Sequence, residues 1–267
     1  MKKPVYRHEL KYRINLPDWA LLRSRLPAAV QRDRHAGENG EYMIRSLYFD
    51  DYWNTAYEEK EIGVLTRRKY RIRLYNCCDD VIHLERKSKY GAYIRKESSP
   101  LTRGETERIL EGDYGFLIKS PHPLLREFYY ECTSRIMRPR VVVDYDREPF
   151  ILEAGDVRIT FDKHIRAGMG RFDALFDPQM PTVDVMPGDS MIMEVKFTRF
   201  LPRLVKKLLP PGAAEMTAAS KYVMCCDAAV RQQPYDRSEG ILWQTRPRPF
   251  RMFSKSHSLR PAASQAR

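Results

Sequence analysis

The chain has 267 residues, 47 Lys plus Arg against 35 Asp plus Glu, a formal net charge of +12 and 43% hydrophobic residues. That length and apolar content suffice for a buried core and exclude a largely disordered chain, while no apolar run approaches the roughly 20 residues of a membrane helix. The five cysteines include the adjacent pairs Cys77-Cys78 and Cys225-Cys226, with no CxxC or Cys/His ligand spacing, so neither a disulfide framework nor a structural zinc is expected.

In chain order, the N-terminal MKKPVYRHELKYR has no signal-peptide apolar core, because Glu9 and Lys11 interrupt it. Residues 9–14 alternate, with Glu9, Lys11 and Arg13 opposite Leu10, Tyr12 and Ile14, the period of a half-buried strand. Pro17, followed by Trp19, Leu22 and Leu26, predicts a helix. Strands follow at 44–50 and 70–75, the second placing Arg71 and Arg73 opposite Tyr70, Ile72 and Leu74. Residues 82–87 set His83, Glu85 and Lys87 against Ile82 and Leu84, and 92–97 is a further strand. Thr102 with Glu105 forms a capping box for a helix over 102–111. Leu124, Leu125, Phe128, Cys132 and Ile136 make a helical stripe.

Strands at 141–147, 157–162 and 191–197 come next. The last two turn Arg158, Thr160 and Asp162, and Glu194 and Lys196, away from Val157, Ile159, Phe161, Met193 and Val195. A helical stripe over 201–209 and a helix over 217–231 complete a single domain over 1–233. Residues 234–267 carry a net of +5, are rich in Pro, Ser and Arg, and are expected to be a disordered basic tail. The class is α+β, with many antiparallel strands and flanking helices.

The polar faces of these strands carry Arg, Lys and Glu where Ser and Thr would serve. A sheet with one face in water shows the same alternation. If the sheet closes with those faces inward, it encloses a cationic lumen that demands a polyanion, since buried like charges repel and lose hydration. Guanidinium pairs such as Arg71 and Arg73 suit phosphate oxygens, and Glu85 and Glu194 among them suit a divalent metal bridging phosphates. There is no P-loop, GxGxxG or nucleophile elbow, and the aromatics alternate opposite the charges, so nucleic-acid binding is not expected.

These segments carry a family resemblance: Glu-Leu-Lys-Tyr at 9–12, Ser-Leu-Tyr-Phe-Asp-Asp at 46–51, Tyr-Arg-Ile-Arg-Leu-Tyr at 70–75, Leu-Glu-Arg-Lys-Ser at 84–88, Asp-Tyr-Asp-Arg at 144–147, Val-Arg-Ile-Thr-Phe-Asp at 157–162, Glu-Val-Lys at 194–196 and Ser-Lys-Tyr at 220–222. In that order they resemble the VTC domain of polyphosphate polymerases, a branch of the triphosphate tunnel metalloenzymes and the wider CYTH superfamily. The resemblance implies a closed eight-stranded antiparallel barrel with flanking helices, binding ATP and polyphosphate. It implies phosphate ligands at Lys11, Lys60, Arg71, Arg73, Lys87, Arg147 and Arg158, with Ser220 and Lys221 at one mouth. Arg71, Arg73, Lys87 and Lys196 would act on the transferring phosphoryl, and Glu194 with Glu85 would hold Mn²⁺ or Mg²⁺. The CYTH phosphatases carry Glu-x-Glu-x-Lys on the first strand, whereas here Arg7 stands at the first Glu. That departure favours polymer synthesis over triphosphate hydrolysis. A phosphate-sensing module without turnover is the non-enzymatic alternative. A cytoplasmic location is implied, with any membrane coupling through a separate membrane protein.

Overall fold

The computed structural model describes residues 7–169, 172–209, 215–216 and 219–231. In chain order it contains β1 (His8–Asn15), α1 (Leu16–Arg25), β2 (Gln31–Arg32), β3 (Tyr42–Asp50), α2 (Thr55–Ile62), β4 (Thr66–Tyr75), β5 (Cys78–Tyr90) and β6 (Tyr93–Leu101). Then come α3 (Arg103–Glu111), α4 (Pro123–Ser134), β7 (Arg138–Leu152), β8 (Val157–Gly168), β9 (Thr182–Asp184), β10 (Ser190–Phe197), α5 (Arg203–Leu208), β11 (Glu215–Met216) and α6 (Lys221–Arg231). The expected basic tail over 234–267 lies outside the described residues.

The strands form one antiparallel sheet of eleven, in the order β11-β1-β10-β8-β7-β3-β4-β5-β6, with β2 and β9 pairing off this path. The expectation of a closed eight-stranded barrel is corrected here. The sheet has more strands, and among the described residues no ladder joins β1 to β6. Arg7, just before β1, makes an isolated bridge to Ile94 of β6, with both backbone bonds at 3.2 Å.

Local signals explain the helices. Asn15 accepts from the Asp18 N–H at 2.8 Å with Pro17 in the first turn of α1, and Thr102 and Glu105 form the capping box of α3. The α4 stripe ends before Ile136, which stands at φ 55° and is 49% exposed. There the chain reverses: the Met137 N–H returns to the Glu131 carbonyl, and Arg138 donates to the carbonyls of Cys132 and Met137. Among the predicted α5 stripe residues, Val205 is buried and Leu204 is exposed. Helix α2 has a weakly amphipathic sequence, TAYEEKEI, and starts where Asp50 and Asp51 accept from the N–H groups of Thr55, Ala56 and Tyr57.

Period two sorts the side chains. Ile72, Leu74, Ile82 and Leu84 face away from the concave side and pack with α3 and α4 around Ile109, Leu125 and Phe128. Ile159, Phe161, Met193 and Val195 do the same against Leu22, Leu26 and Val205 of the other flank. A third cluster lies on the concave side. Ile44, Val143, Ile165, Ala167 and Ile192 pack there against Tyr222, Val223, Cys225 and Cys226 of α6. Helix α6 therefore fills the apolar half of the concave face, and the charged half is left as a cavity. Of the cysteine doublets, Cys77, Cys225 and Cys226 are buried and Cys78 is exposed.

Candidate phosphate-binding cavity

The cavity has a volume of about 590 Å³, and its lining carries eleven Lys or Arg side chains against two carboxylates, Glu9 and Glu194. Of the residues anticipated from sequence, Lys11, Lys60, Arg71, Arg73, Lys87, Arg147, Glu194, Lys196, Ser220 and Lys221 all line it. They arrive there on β1, α2, β4, β5, β7, β10 and the start of α6. Strand register explains the convergence: Lys11 is paired with Glu194, Glu9 with Lys196 and Arg71 with Glu85, so each cation sits beside a carboxylate on the same face.

Two anticipated residues do not line the cavity. Arg158 stands opposite Lys196 in the β8–β10 ladder but is drawn aside, with Nη2 at 2.8 Å from Asp33 and 2.9 Å from the Tyr42 hydroxyl. Glu85 is 2% exposed and lies behind Arg71, which donates to it from Nε and Nη2 at 2.8 and 2.6 Å, while Lys96 takes its other oxygen at 2.7 Å. Glu85 and Glu194 thus share no partner.

The floor of the cavity is a closed charge network, and Lys221, expected at a mouth, is buried within it between Glu194 and Asp162. Glu194 accepts from Lys196 at 2.6 Å and Lys221 at 2.8 Å, with Lys11 at 3.5 Å and Arg147 at 3.6 Å. Asp162, 0% exposed, takes both arms of Arg147 at 2.6 and 2.7 Å and Lys221 at 2.5 Å. Glu9 accepts from Lys87 at 2.8 Å, and its other oxygen is buried without a hydrogen-bond partner, 3.6 Å from Lys11. Burial alone would raise the Glu194 carboxyl, but Lys196, Lys221, Lys11 and Arg147 hold it well below the usual range. Against the same burial, Lys87 and Lys11 hold Glu9 low, and Arg71 and Arg73 hold Glu85 low. Burial brings Lys196 down to about 8 despite Glu194.

The mouth differs. Lys60, Arg67, Lys69 and Lys89 line it, and none of the four makes an ion pair among the described residues. Lys69 lies 3.4 Å from the Ser220 hydroxyl and 4.2 Å from the Tyr222 ring centroid, and burial lowers it to about 7. Arg67, Lys69 and Lys89 were missed by the sequence reading, although they continue the spacing of two from Arg71 and Lys87. Between floor and mouth, Arg73 donates to Ser46 at 3.1 Å and to the Tyr145 hydroxyl at 3.0 Å, and Arg71 donates to the Tyr48 hydroxyl at 2.8 Å.

Among the described residues no three His, Cys, Asp or Glu side chains gather as a metal cage. The donor set suits an ion shared with phosphate: Glu194 and the unpartnered oxygen of Glu9 both approach Lys11, and hard oxygens are what Mn²⁺ or Mg²⁺ takes. Glu85, held by Arg71 and Lys96, does not fit that set. Asp50 and Asp51 serve the turn into α2, and Arg7 is ion-paired with Asp156 at 3.1 Å, away from the cavity lining.

Among solved structures, a candidate adenylate cyclase of Bacillus halodurans is 11% identical, with 76% of this chain and 86% of that chain covered at a TM-score of 0.41. A conserved hypothetical protein of Pyrococcus furiosus is 12% identical, with coverage of 76% and 85% and a TM-score of 0.38. With TM-scores below 0.5, these likenesses bear on neither fold nor function. No curated protein matches the chain. No described helix is long and apolar enough to cross a membrane. The family model of the VTC domain matches residues 6–230, which span every strand and helix of the cavity, and the chain belongs to that family.

Proposed function

We propose that the cavity binds ATP and polyphosphate and transfers the γ-phosphoryl group of ATP to a polyphosphate end. The observation that carries this reading is the excess of eleven cationic side chains over two carboxylates in one cavity. Such an excess is unfavourable without a polyanion, and membership of the VTC domain family supports phosphate as that polyanion. A terminal oxygen of the chain attacks the γ-phosphorus, the bond from that phosphorus to the β–γ bridging oxygen breaks, and ADP leaves with the electron pair.

Both reactants are highly negative, so the work of the protein is positioning and screening. Arg71, Arg73, Lys87 and Lys196 neutralise the charge on the transferring group and the leaving oxygens. Lys11, Arg147 and Lys221 hold phosphates at the floor, and Lys60 and Ser220 hold them at the mouth. Glu194 and Glu9 would hold a divalent metal, which would supply positive charge against the developing charge of the phosphates. Arg158 takes part only if its link to Asp33 opens. Incubation with ATP and Mn²⁺, with products separated, tests the reading. ADP with long-chain polyphosphate is expected, after a lag that short-chain primer shortens. ADP with orthophosphate alone makes the protein a triphosphatase, and bound but unchanged ATP makes it a sensing module.

A further inference from the structure

One wall of the cavity is not built from cations. Along the seam between β1 and β6, His8, Leu10, Ala92, Ile94 and Phe197 line the same space as the lysines and arginines. His8 stacks on Phe197 with centroids 5.0 Å apart and planes at 23°. Tyr93, 50% exposed, tilts against His8 at 5.3 Å. His8 and Phe197 are paired across the β1–β10 ladder one residue from Glu9 and Lys196, so they belong to the opposite face of the sheet. They reach the cavity at the seam, where no continuous β1–β6 ladder stands between the two faces.

The other aromatic rings of the lining are committed through their hydroxyls. Tyr48 accepts from Arg71, Tyr145 accepts from Arg73, and Tyr222 donates to Asp50. Among these five lining residues none is Lys, Arg, Asp or Glu; they are the rings of His8 and Phe197 and the aliphatic side chains of Leu10, Ala92 and Ile94. Inorganic phosphate chains gain nothing from such a surface. A nucleoside triphosphate is matched to both parts, being polyanionic at one end and a flat π-system at the other. The 590 Å³ of the cavity also falls in the range of roughly 300–1,000 Å³ that accommodates an organic ligand of that size.

We infer that the seam wall is a nucleobase shelf. The base of the nucleotide lies against His8, Phe197 and Ile94, while its phosphates run inward to Lys11 and Arg71. This inference rests on the phosphate reading of the cavity, so its test pairs a ligand with a base and one without. In calorimetric titrations, His8→Ala is expected to weaken ATP binding about tenfold, the scale of one lost base–aromatic contact, and Ile94→Ser to weaken it measurably, while each leaves tripolyphosphate binding within about twofold. Retained tripolyphosphate binding also shows that each variant is folded. On the unmodified protein, saturation-transfer NMR should mark the adenine H2 and H8 protons of bound ATP. Equal changes for the two ligands, no change for either, or bound ATP without transfer to its base protons overturns the shelf. Failure of the unmodified chain to bind tripolyphosphate overturns the phosphate reading beneath it as well.

Discussion

The floor and the mouth of the cavity are both cationic, yet they are held in opposite ways. At the floor, Lys11, Lys196, Lys221 and Arg147 are interlocked with Glu194, Glu9 and Asp162. At the mouth, Lys60, Arg67, Lys69 and Lys89 have no such partners among the described residues. Buried charges persist when paired, so the floor is part of the folded structure before any ligand arrives. The half-buried charges of the mouth have no carboxylate to neutralise them and act at a distance, so the mouth contributes attraction. A polyanion is therefore drawn in by one group and positioned by the other.

The largest effect should come from breaking the floor. Asp162→Asn leaves Arg147 and Lys221 buried with one carboxylate fewer, and a loss of about 3–5 kcal/mol is expected in chemical denaturation. An unchanged midpoint would mean that the network is not structural. Glu194→Gln should lower turnover with ATP and Mn²⁺ far more than tripolyphosphate affinity, because the cations remain. Equal turnover of variant and parent at saturating Mn²⁺ would remove Glu194 from the metal site.

Arg71→Ala with Arg73→Ala sharpens the comparison between the two. Pure ligand-binding cations could be removed at no cost to the apo fold, as their strand positions alone suggest. The structure says otherwise: Arg71 is a main partner of buried Glu85, and Arg73, 7% exposed, donates to Ser46 and Tyr145. The double variant should lose the thermal shift given by tripolyphosphate and also melt lower without ligand. A retained ligand shift would refute the assignment.

Effects of pH are smaller and follow Lys69 and Lys196, lowered by burial to about 7 and about 8. Their folded values lie below those of the unfolded chain, so the unfolded state binds more protons between the two. Stability from these lysines is therefore absent below the folded value and gained as pH rises toward about 10. Phosphate binding runs the other way, since it favours the charged amines. Tripolyphosphate affinity should fall from about pH 7 to about pH 9, with proton uptake on binding near pH 8. Identical heats in buffers of different ionisation enthalpy would contradict this.

Much of the site was legible in the sequence because a strand repeats every two residues. Alternation puts Arg71, Arg73, Lys87, Glu194 and Lys196 on the polar faces of their strands and Ile72, Leu84, Ile159 and Val195 on the apolar faces, and the fold brings the first set into one cavity. What alternation omits is what lies across the chain. Asp33, which captures Arg158, comes from the loop after β2, which has no pattern of its own. A register shift between Asp144 and Asp146 changes which β8 residues face inward, bringing Ile165 and Ala167 to the concave side. The docking of α6 there depends on tertiary packing, as does the missing ladder between β1 and β6. Helix α2 has too little apolar periodicity to be seen, and the side chains of Asp50 and Asp51 fix its start.

The most direct test of the two-part cavity is titration of tripolyphosphate at about 50 mM and about 300 mM salt into the unmodified protein and a Lys60→Ala, Lys89→Ala variant. Saturable one-site binding to both proteins is expected. The variant should bind about tenfold more weakly at low salt, with the gap narrowing at high salt as the charges of the mouth are screened. Binding that does not saturate, or a variant that matches the parent at low salt, would contradict it.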